Sequence, residues 1–288
     1  MPSLKSIRTR ITSVKNTQKI TRAMKLMSAV RLRRAADAIV AARPYARGLK
    51  ELIAELGRRA GGEGHPLLTQ RPLRRVQLVI LTSDRGLAGA FNTNIARATE
   101  RYLYEHKPDH ESIVISVVGR KGRDYFRRRK VTIHREYPGV TSQVAQERAE
   151  EIVRDAVTDF LEDRTDGVFL VYNEFKSAIS QKVQVERLLP VEAAELPPGA
   201  PPTDYVYEPS RRAVLDRLIP MWAQVEVYRA LLESIASEFG ARMSAMDSAT
   251  KNASDMIARL TLMYNRARQA AITKELLEII GGAEALKG

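Results

Sequence analysis

The residues of this sequence that are best suited to chemistry follow its first apolar strand. The segment Ser83–Gly89 (SDRGLAG) comes after a strand predicted at Val76–Thr82 and before a helix predicted at Asn92–His106. Doubly wound folds bind phosphate at such a turn, because helix N-termini attract anions. The spacing here is G-x-x-G, however, which differs from the dinucleotide and P-loop patterns. A tight turn in which Asp84 acts as a local cap is the simpler interpretation.

A second glycine-containing segment, Gly119–Arg123 (GRKGR), follows the apolar strand predicted at Ser112–Val118. Its basic side chains could grip a phosphate group, because the segment also precedes a helix. The alternative is a surface turn that leads into a basic helix, which we predict at Lys121–Arg129.

The histidine and serine patterns do not indicate catalysis or metal binding. The four histidines are His65, His106, His110 and His134. His106 and His110 are four residues apart, but Pro108 disrupts the helix that would align them on one metal ion. No triad-like signature or nucleophile elbow is visible. We therefore expect a chain that is not an enzyme and that carries no cofactor and no metal.

The element that organises the chain is the segment Met221–Gly281. Seam residues recur along it in an almost unbroken seven-residue repeat, which is typical of a coiled coil. Such a helix would be roughly 90 Å long and would end at the Gly281–Gly282 pair. It needs a partner helix and a groove in another protein. The seam positions are Val225, Tyr228, Leu232, Ile235, Phe239, Arg242, Met246, Ala249, Ala253, Met256, Leu260, Met263, Ala267, Ala270, Lys274 and Leu277.

Many of these seam positions hold Ala or Met, which let two helices approach closely but bury little apolar area. Arg242 and Lys274 also lie on the seam and would be costly to bury without a partner. Two explanations remain open. Either the two side chains lie near enough to the surface to extend into water, or they reach outward to another protein.

A second long helix is predicted at Leu4–Ala42. Its apolar residues form one stripe, and no acidic residue precedes Asp37. Pro44 should kink or end this helix, and a shorter helix should follow to about Leu56. The basic side chains indicate either a solvated face or a surface for an anionic partner. They are Lys5, Arg8, Arg10, Lys15, Lys19, Arg22, Lys25, Arg31, Arg33 and Arg34.

The composition is that of a folded, basic protein without cysteine. Of the 288 residues, 44% are hydrophobic and 28% charged, which excludes wholesale disorder. The net charge of +13 points to nucleic acid, an anionic membrane surface or an acidic protein face. The start, MPSLKSIRTR, does not resemble a secretory signal, and the longest apolar run, Val76–Leu81, is too short to span a membrane. We expect a protein that is soluble or peripheral to a membrane.

Between the long helices the sequence alternates strands and helices, which predicts a mostly parallel sheet covered on both faces. The predicted fold class is therefore α and α/β, with a long antiparallel coiled coil of the N- and C-terminal helices and an inserted Rossmann-like α/β domain. Linkers rich in Gly and Pro divide the chain into a coiled-coil helix at 1–56, an α/β domain at 57–208 and a coiled-coil helix at 209–288. The remaining predicted elements are strands at Val131–Tyr137, Gly167–Phe175 and Lys182–Leu189, the last two forming a hairpin, and a helix at Ser142–Leu161.

A basic coiled-coil protein that binds nucleic acid is the alternative function. The charge fits this interpretation. Aromatic residues make up only 6% of the chain, however, and none lies in the basic N-terminal helix. No helix-turn-helix or RNA-binding motif is visible either.

Five segments together resemble the gamma subunit of F-type ATP synthases, and the resemblance runs from end to end. The two terminal groups of motifs are highly specific and the middle one moderately so. The segments are Ile11–Met24 (ITSVKNTQKITRAM), Leu32–Ala35 (LRRA), Ser83–Asn92 (SDRGLAGAFN), Ala241–Ala253 (ARMSAMDSATKNA) and Leu260–Leu276 (LTLMYNRARQAAITKEL).

The resemblance implies a non-catalytic central rotor shaft, one copy in each complex. In that family the terminal helices form an antiparallel coiled coil inside a ring of alpha and beta subunits. The α/β domain stands at the foot, against the epsilon subunit and the membrane-embedded c-ring. Proton flow turns the ring, and the shaft drives the beta subunits through their nucleotide states. The implied location is the cytoplasmic face of the bacterial cell membrane, with membrane contact only through partners and no nucleic acid.

The resemblance also implies which residues contact the partners. The turn at Ser83–Asn92 belongs to the family fold and binds no nucleotide there. The cysteine-bearing regulatory insertion of plastid relatives is missing, which favours a bacterial-type subunit, and Pro220 is a potential kink in the C-terminal helix. The implied contacts with alpha and beta are Met24, Lys25, Arg242, Arg268 and Gln269, and those with the c-ring and epsilon are Tyr205, Tyr207 and Glu208.

Overall fold

A computed structural model of the protein describes residues 3–59, 65–141, 143–178, 180–191, 208 and 210–285. Over these residues a five-stranded sheet lies, along the chain, between two long helices. The helices are α1 (Leu4–Arg59), α2 (Phe91–His106), α3 (Arg120–Arg128), α4 (Ala145–Leu161) and α5 (Arg211–Ala285). The strands are β1 (Arg75–Leu81), β2 (Ser112–Val118), β3 (Ile133–Tyr137), β4 (Gly167–Phe175) and β5 (Gln181–Leu189).

The sheet has the strand order β3-β2-β1-β4-β5. β1 pairs in parallel with β2 and β4, and β2 pairs in parallel with β3. β4 and β5 form an antiparallel pair, so the predicted hairpin is confirmed. This is the order of a doubly wound fold with one antiparallel edge strand, and the predicted fold class is confirmed with it.

Both faces of the sheet are covered by helices, as the apolar strand sequences require. Val76, Leu78 and Ile80 of β1 belong to a core with residues of α2 and α3. Val79 and Leu81 belong to a second core with residues of α1, α4 and α5. The alternation follows from the two-residue period of a strand.

Helix α1 continues through Pro44, so the helix does not end at this residue, and the alternative that Pro44 kinks the helix stays a prediction. Proline removes one backbone hydrogen bond and crowds the preceding turn, which weakens a helix. Burial on both sides of the proline offsets this loss. Ile39 before it and Leu49 and Ile53 after it are at most 7% exposed and belong to one core.

Helix α5 begins earlier and ends later than predicted. It starts at Arg211 instead of Met221, and Pro220 lies inside it, between the buried side chains of Ile219 and Trp222. At the other end the helix includes the Gly281–Gly282 pair and runs to Ala285. The prediction that the glycines end the helix is therefore wrong. Both glycines face open space, since a Cβ on either would meet nothing within 4 Å.

The contacts divide the chain into two compact units. The terminal unit consists of residues 1–27 and 243–288, and the central unit of residues 28–242. The domain boundaries predicted at residues 56 and 208 stay a prediction.

Candidate functional sites

The turn after β1 is held together by its own polar groups. The Ser83 backbone N–H donates to the Asn92 side-chain oxygen over 3.0 Å, and the Ser83 hydroxyl donates to the Arg85 carbonyl over 2.8 Å. Leu87 adopts a positive φ of 64°, an uncommon conformation for a residue with a side chain, and is 65% exposed. The turn is thus an ordered loop with an apolar tip.

The turn after β2 is built for close packing. Gly119 has a φ of +88°, and a Cβ there would lie 2.3 Å from the Thr82 carbonyl oxygen. A Cβ on Gly122 would lie 2.6 Å from the Thr82 hydroxyl oxygen. Only glycine satisfies both positions. The glycines of the GRKGR segment therefore bring α3 against the end of β1.

The N-terminus of α3 is already filled by acceptors of the same chain. The Arg120 backbone N–H donates to an Asp84 carboxylate oxygen over 2.9 Å, and the Gly122 N–H donates to the Thr82 hydroxyl over 2.9 Å. These are the donors that a phosphate would use. The interpretation of Ser83–Gly89 as a tight turn in which Asp84 acts as a cap is therefore supported. One correction is needed: Asp84 caps α3 and not α2, the helix that follows it in sequence.

Arg242 is buried in the central unit, at 7% exposure. Its guanidinium donates to Glu238 over 2.6 Å and to the Gly86 carbonyl over 3.2 Å. Burial raises the pKa of Glu238, and the charge of Arg242 opposes that shift. The Arg242 side chain thus ties α5 to the turn after β1. Its predicted contact with alpha or beta subunits stays a prediction.

In the terminal unit α1 and α5 pair in antiparallel fashion through polar side chains. Gln18 donates to Ser254 over 2.6 Å, and Thr21 and Thr250 share a hydrogen bond of 2.7 Å. The residue numbers of the partners decrease along α5 as they increase along α1, so the two helices are antiparallel. Some apolar seam positions are buried as predicted, among them Ala253 and Leu260.

Lys25 extends this row with an ion pair that sequence reasoning missed. Its ammonium lies 2.5 Å from Asp247, which also lies 3.1 Å from Lys251. The hydrogen bonds from Lys25 and then Lys251 lower the pKa of the Asp247 carboxyl. The available signal was that Asp247 is the only acid in the segment Ala241–Ala253. The neighbouring Met24 is half-buried.

The far end of α5 is exposed. Since Gln18 lies opposite Ser254, continuing the pairing brings the start of α1 opposite about Arg268, so later residues of α5 have no α1 residue opposite them. Arg268 and Gln269 are exposed, and Lys274 is exposed with Glu278 beside it. Large apolar side chains are exposed here as well: Leu262, Met263, Ile272, Leu276, Leu277, Ile279 and Ile280. Even so, no helix in the described residues combines the length and apolar character needed to cross a membrane.

The basic side chains of the acid-free stretch of α1 are mostly solvated. Nine of its ten basic residues are exposed, and Lys25 is half-buried. Arg31 lies over the ring of Phe239, 5.5 Å from its centroid. The exposed basic side chains are therefore available to anionic groups of another molecule.

The other predicted site residues are placed as follows. Tyr205 and Tyr207 lie outside the described residues, and Glu208 is exposed. Helix α2 ends at His106, yet the rings of His106 and His110 are stacked with centroids 6.0 Å apart. Within the described part of the chain, no group of three or more His, Cys, Asp or Glu residues could hold a metal ion.

Two buried charge clusters have no signature in the sequence. Asp159, with a fully buried side chain, accepts hydrogen bonds of 2.8 Å from both Arg135 and Arg164. Arg229 contacts Glu226 and Glu233 on its own helix, and it also contacts Glu186 on β5. Burial lowers the pKa of Arg229, and these carboxylates together with Tyr172 raise it by more. Both clusters join helices to the sheet.

Comparison with known proteins gives full-length matches. A family model described as ATP synthase matches residues 3–286. The ATP synthase gamma chain of Anaeromyxobacter sp. (strain K) is 54% identical over 290 residues, covering all of both chains. That of Geobacter metallireducens is 48% identical over 288 residues, again covering all of both chains.

Two solved structures share the fold. One is described as Euglena gracilis mitochondrial ATP synthase, OSCP/F1/c-ring, rotational state 3. It has a TM-score of 0.69 at 22% identity and covers 98% of this chain and 94% of its own. The other is described as Tetrahymena thermophila mitochondrial ATP synthase, central stalk/c-ring. It has a TM-score of 0.59 at 24% identity and covers 80% of this chain and 99% of its own.

Proposed function

The chain belongs to the ATP synthase gamma chain family, and from this premise we propose that it is the central-stalk rotor subunit of a bacterial-type F-type ATP synthase. In this role it transmits rotation of the membrane c-ring to the catalytic beta subunits, where ATP is made. Its partners are the alpha, beta and epsilon subunits and the c-ring, and one copy serves each complex.

The observation that carries the proposal is the exposed end of α5 beyond its pairing with α1. Leu276, Leu277 and Ile280 are each more than half exposed. An exposed apolar surface of this kind marks a protein interface. A ring of subunits that encloses the helix end would remove this surface from water on all sides at once, and it would hold the helix without fixing its angle of rotation.

The proposed contacts with alpha and beta subunits fall into two groups. Arg268 and Gln269 are exposed and are free to meet a partner directly. Lys25 and Arg242 already have partners in this chain, Asp247 and Glu238, so they would meet alpha or beta as part of an ion pair. Met24 lies beside Lys25. The Lys25–Asp247 pair is partly exposed, and a surface ion pair contributes about 0.2–1 kcal/mol, which suits a contact that forms and breaks during rotation. Arg242 is buried and would keep its pair with Glu238.

We propose that Tyr205, Tyr207 and Glu208 contact the c-ring and the epsilon subunit. The chain itself is non-catalytic in this proposal, and the activity resides in the beta subunits. It works at the cytoplasmic face of the cell membrane, peripherally, through its partners. The filled N-terminus of α3 supports the expectation that this subunit binds no nucleotide.

A reconstitution tests the proposal. An alpha–beta ring prepared without gamma is mixed with this chain, and the rate of ATP hydrolysis is measured. We expect the chain to restore hydrolysis and to copurify with the ring at high salt. A chain that leaves the rate unchanged, and that instead binds arbitrary DNA in a salt-sensitive manner, would support the nucleic-acid alternative. None of the relatives named above carries a description that favours that alternative.

A further inference from the structure

In a doubly wound sheet, ligands bind outside the carboxyl ends of the strands at the point where the strand order reverses. Here that point lies between β1 and β4, which are neighbours in the order β3-β2-β1-β4-β5. Helices α2 and α3 cover one face and α4 the other, as a reversal at this point requires. The crevice is therefore identified by topology alone.

A segment of helix α5 occupies this crevice. The Ser237 hydroxyl is fully buried and donates to the Asn173 carbonyl near the end of β4 over 3.0 Å. The Ser234 hydroxyl lies 3.5 Å from the carbonyl of Leu81, the last residue of β1. The Asn173 side chain in turn donates to the Phe91 carbonyl at the start of α2 over 3.4 Å.

Two further contacts enclose the same segment. Gly240 packs against the turn that joins β4 to β5, where an added Cβ would lie 3.2 Å from both the Cα and the carbonyl oxygen of Ala178. Arg242 donates to the Gly86 carbonyl in the turn after β1 over 3.2 Å. The acceptors at Leu81, Asn173 and Gly86 are backbone carbonyls, so their positions are set by the sheet and its turns.

The contacts surround much of the helix. With 3.6 residues in each turn, positions 234, 237, 240 and 242 are spread over about 200° of the circumference. A helix that is held on one side can roll over its support. A helix that is held over more than half of its circumference, by groups at fixed positions, resists rotation about its own axis.

We propose that the segment Ser234–Arg242, seated in the crevice between β1 and β4, is the joint at which the α/β domain grips helix α5 so that the two turn as one. This inference rests on the proposed function, since it names the place where torque enters the helix. The crevice that binds a ligand in other doubly wound folds is used here to hold the chain's own helix.

The test uses the complete F-type complex in membrane vesicles, assembled with wild-type chain or with a Gly240→Val variant. ATP hydrolysis and ATP-driven proton pumping are both measured. A valine wedges Ala178 away from α5 and loosens the joint. We expect hydrolysis within about twofold of wild type, because α5 still turns in the ring, and a pumping-to-hydrolysis ratio at least about fivefold lower. Gly48→Val is the matched control and should keep the wild-type ratio, because nothing lies within 4 Å of a Cβ at Gly48.

An unchanged ratio in Gly240→Val overturns the proposal, and so does a proportional loss of both activities, which would indicate only poorer assembly. If wild-type chain supports no hydrolysis in the complex, the proposed function fails and this inference fails with it.

A disulfide gives a second test that does not depend on a steric wedge. The chain contains no cysteine, so Ala178→Cys/Gly240→Cys introduces a single pair, and the two positions are close enough to be bridged. If the joint holds the two parts as one, oxidation should keep or restore the wild-type pumping ratio. A ratio that falls on oxidation and recovers on reduction would mean that the two parts must move against each other, which overturns the proposal.

Discussion

The buried carboxylate of Asp159 connects several parts of the fold. Its side chain is fully buried and it joins α4 to β3 through Arg135 and to the following turn through Arg164. Burial raises the pKa of its carboxyl, but the hydrogen bonds from His134 and Arg164, together with the charges of Arg135 and His134, lower it by more. The ionised form is therefore the one that the fold stabilises.

We expect Asp159→Asn to lower the free energy of unfolding by about 3 kcal/mol, because the arginines lose a buried countercharge. Urea denaturation followed by circular dichroism measures the change. Asp163→Asn is the control: this carboxylate also pairs with an arginine, Arg71, but is 73% exposed, so its loss should be below about 1 kcal/mol. Equal losses in the two variants would contradict the interpretation.

We predict that the free energy of unfolding depends on pH through His65. Burial lowers its pKa, and the neighbouring Asp216, 2.9 Å away, offsets only part of that shift. The unfolded chain, with a histidine pKa of about 6.5, therefore binds the proton more readily than the folded one. The free energy of unfolding should fall as the pH drops below about 6.5. Denaturation between pH 7 and 5 should show a flatter profile for His65→Gln, and identical slopes would refute this role.

At the scale of elements, α3 depends on the absence of side chains at its start. Gly122→Ala places a Cβ 2.6 Å from the Thr82 hydroxyl oxygen, so we expect a loss of roughly 1–3 kcal/mol of unfolding free energy from overpacking. Gly48→Ala is the matched control. It lies inside α1 with open space around it and should gain about 0.5–1 kcal/mol, since alanine favours the helix. Thermal unfolding of both variants gives the comparison, and the same sign of change in both would disprove it.

The strands were more predictable than the ends of the long helices. β2 and β4 begin and end at the predicted residues, because a strand in a covered parallel sheet appears as a continuous apolar run. The Gly281–Gly282 pair was wrongly predicted to end α5, and of the kink or end predicted at Pro44 the end is wrong. Burial around Pro44 offsets the lost hydrogen bond, and this burial comes from distant parts of the chain that no local pattern contains.

The polar sites were less predictable than the strands, because the groups that meet in them come from distant parts of the chain. Asp84 lies 36 residues from Arg120, whose backbone it caps. The two meet because β1 and β2 are neighbours in the sheet, which places the turns that follow them side by side. Arg242 was correctly singled out as unusual for a seam, but its partner Gly86 is 156 residues away. Residue type and spacing indicated where chemistry was possible, and the topology decided which groups meet.

At the scale of the whole molecule, the partner contacts could be predicted only through the family resemblance. Arg268 and Gln269 are ordinary exposed polar residues of α5, and neither burial nor a partner among the described residues distinguishes them. Their expected role depends on groups of other subunits, so a pattern within one sequence does not reveal it.

Arg268→Ala and Gln269→Ala should impair coupled ATP synthesis several-fold in the assembled complex and leave the unfolding free energy of the chain within about 0.5 kcal/mol of wild type. ATP synthesis by energised vesicles and urea denaturation measure the two quantities. Arg266→Ala, an exposed neighbour on the same helix, should leave synthesis unchanged. Normal synthesis in the first two variants would show that the assignment is wrong.

The antiparallel pairing of α1 with α5 has a consequence for synthesis of the protein on the ribosome. Gln18 and Ser254 are 236 residues apart in sequence. At roughly 5–20 residues per second, the N-terminal helix waits about 12–50 s before its partner emerges. During that interval the segment before Asp37 carries ten basic residues and no acidic residue. Like charges repel one another, so we expect copies of this segment to associate weakly before α5 is translated.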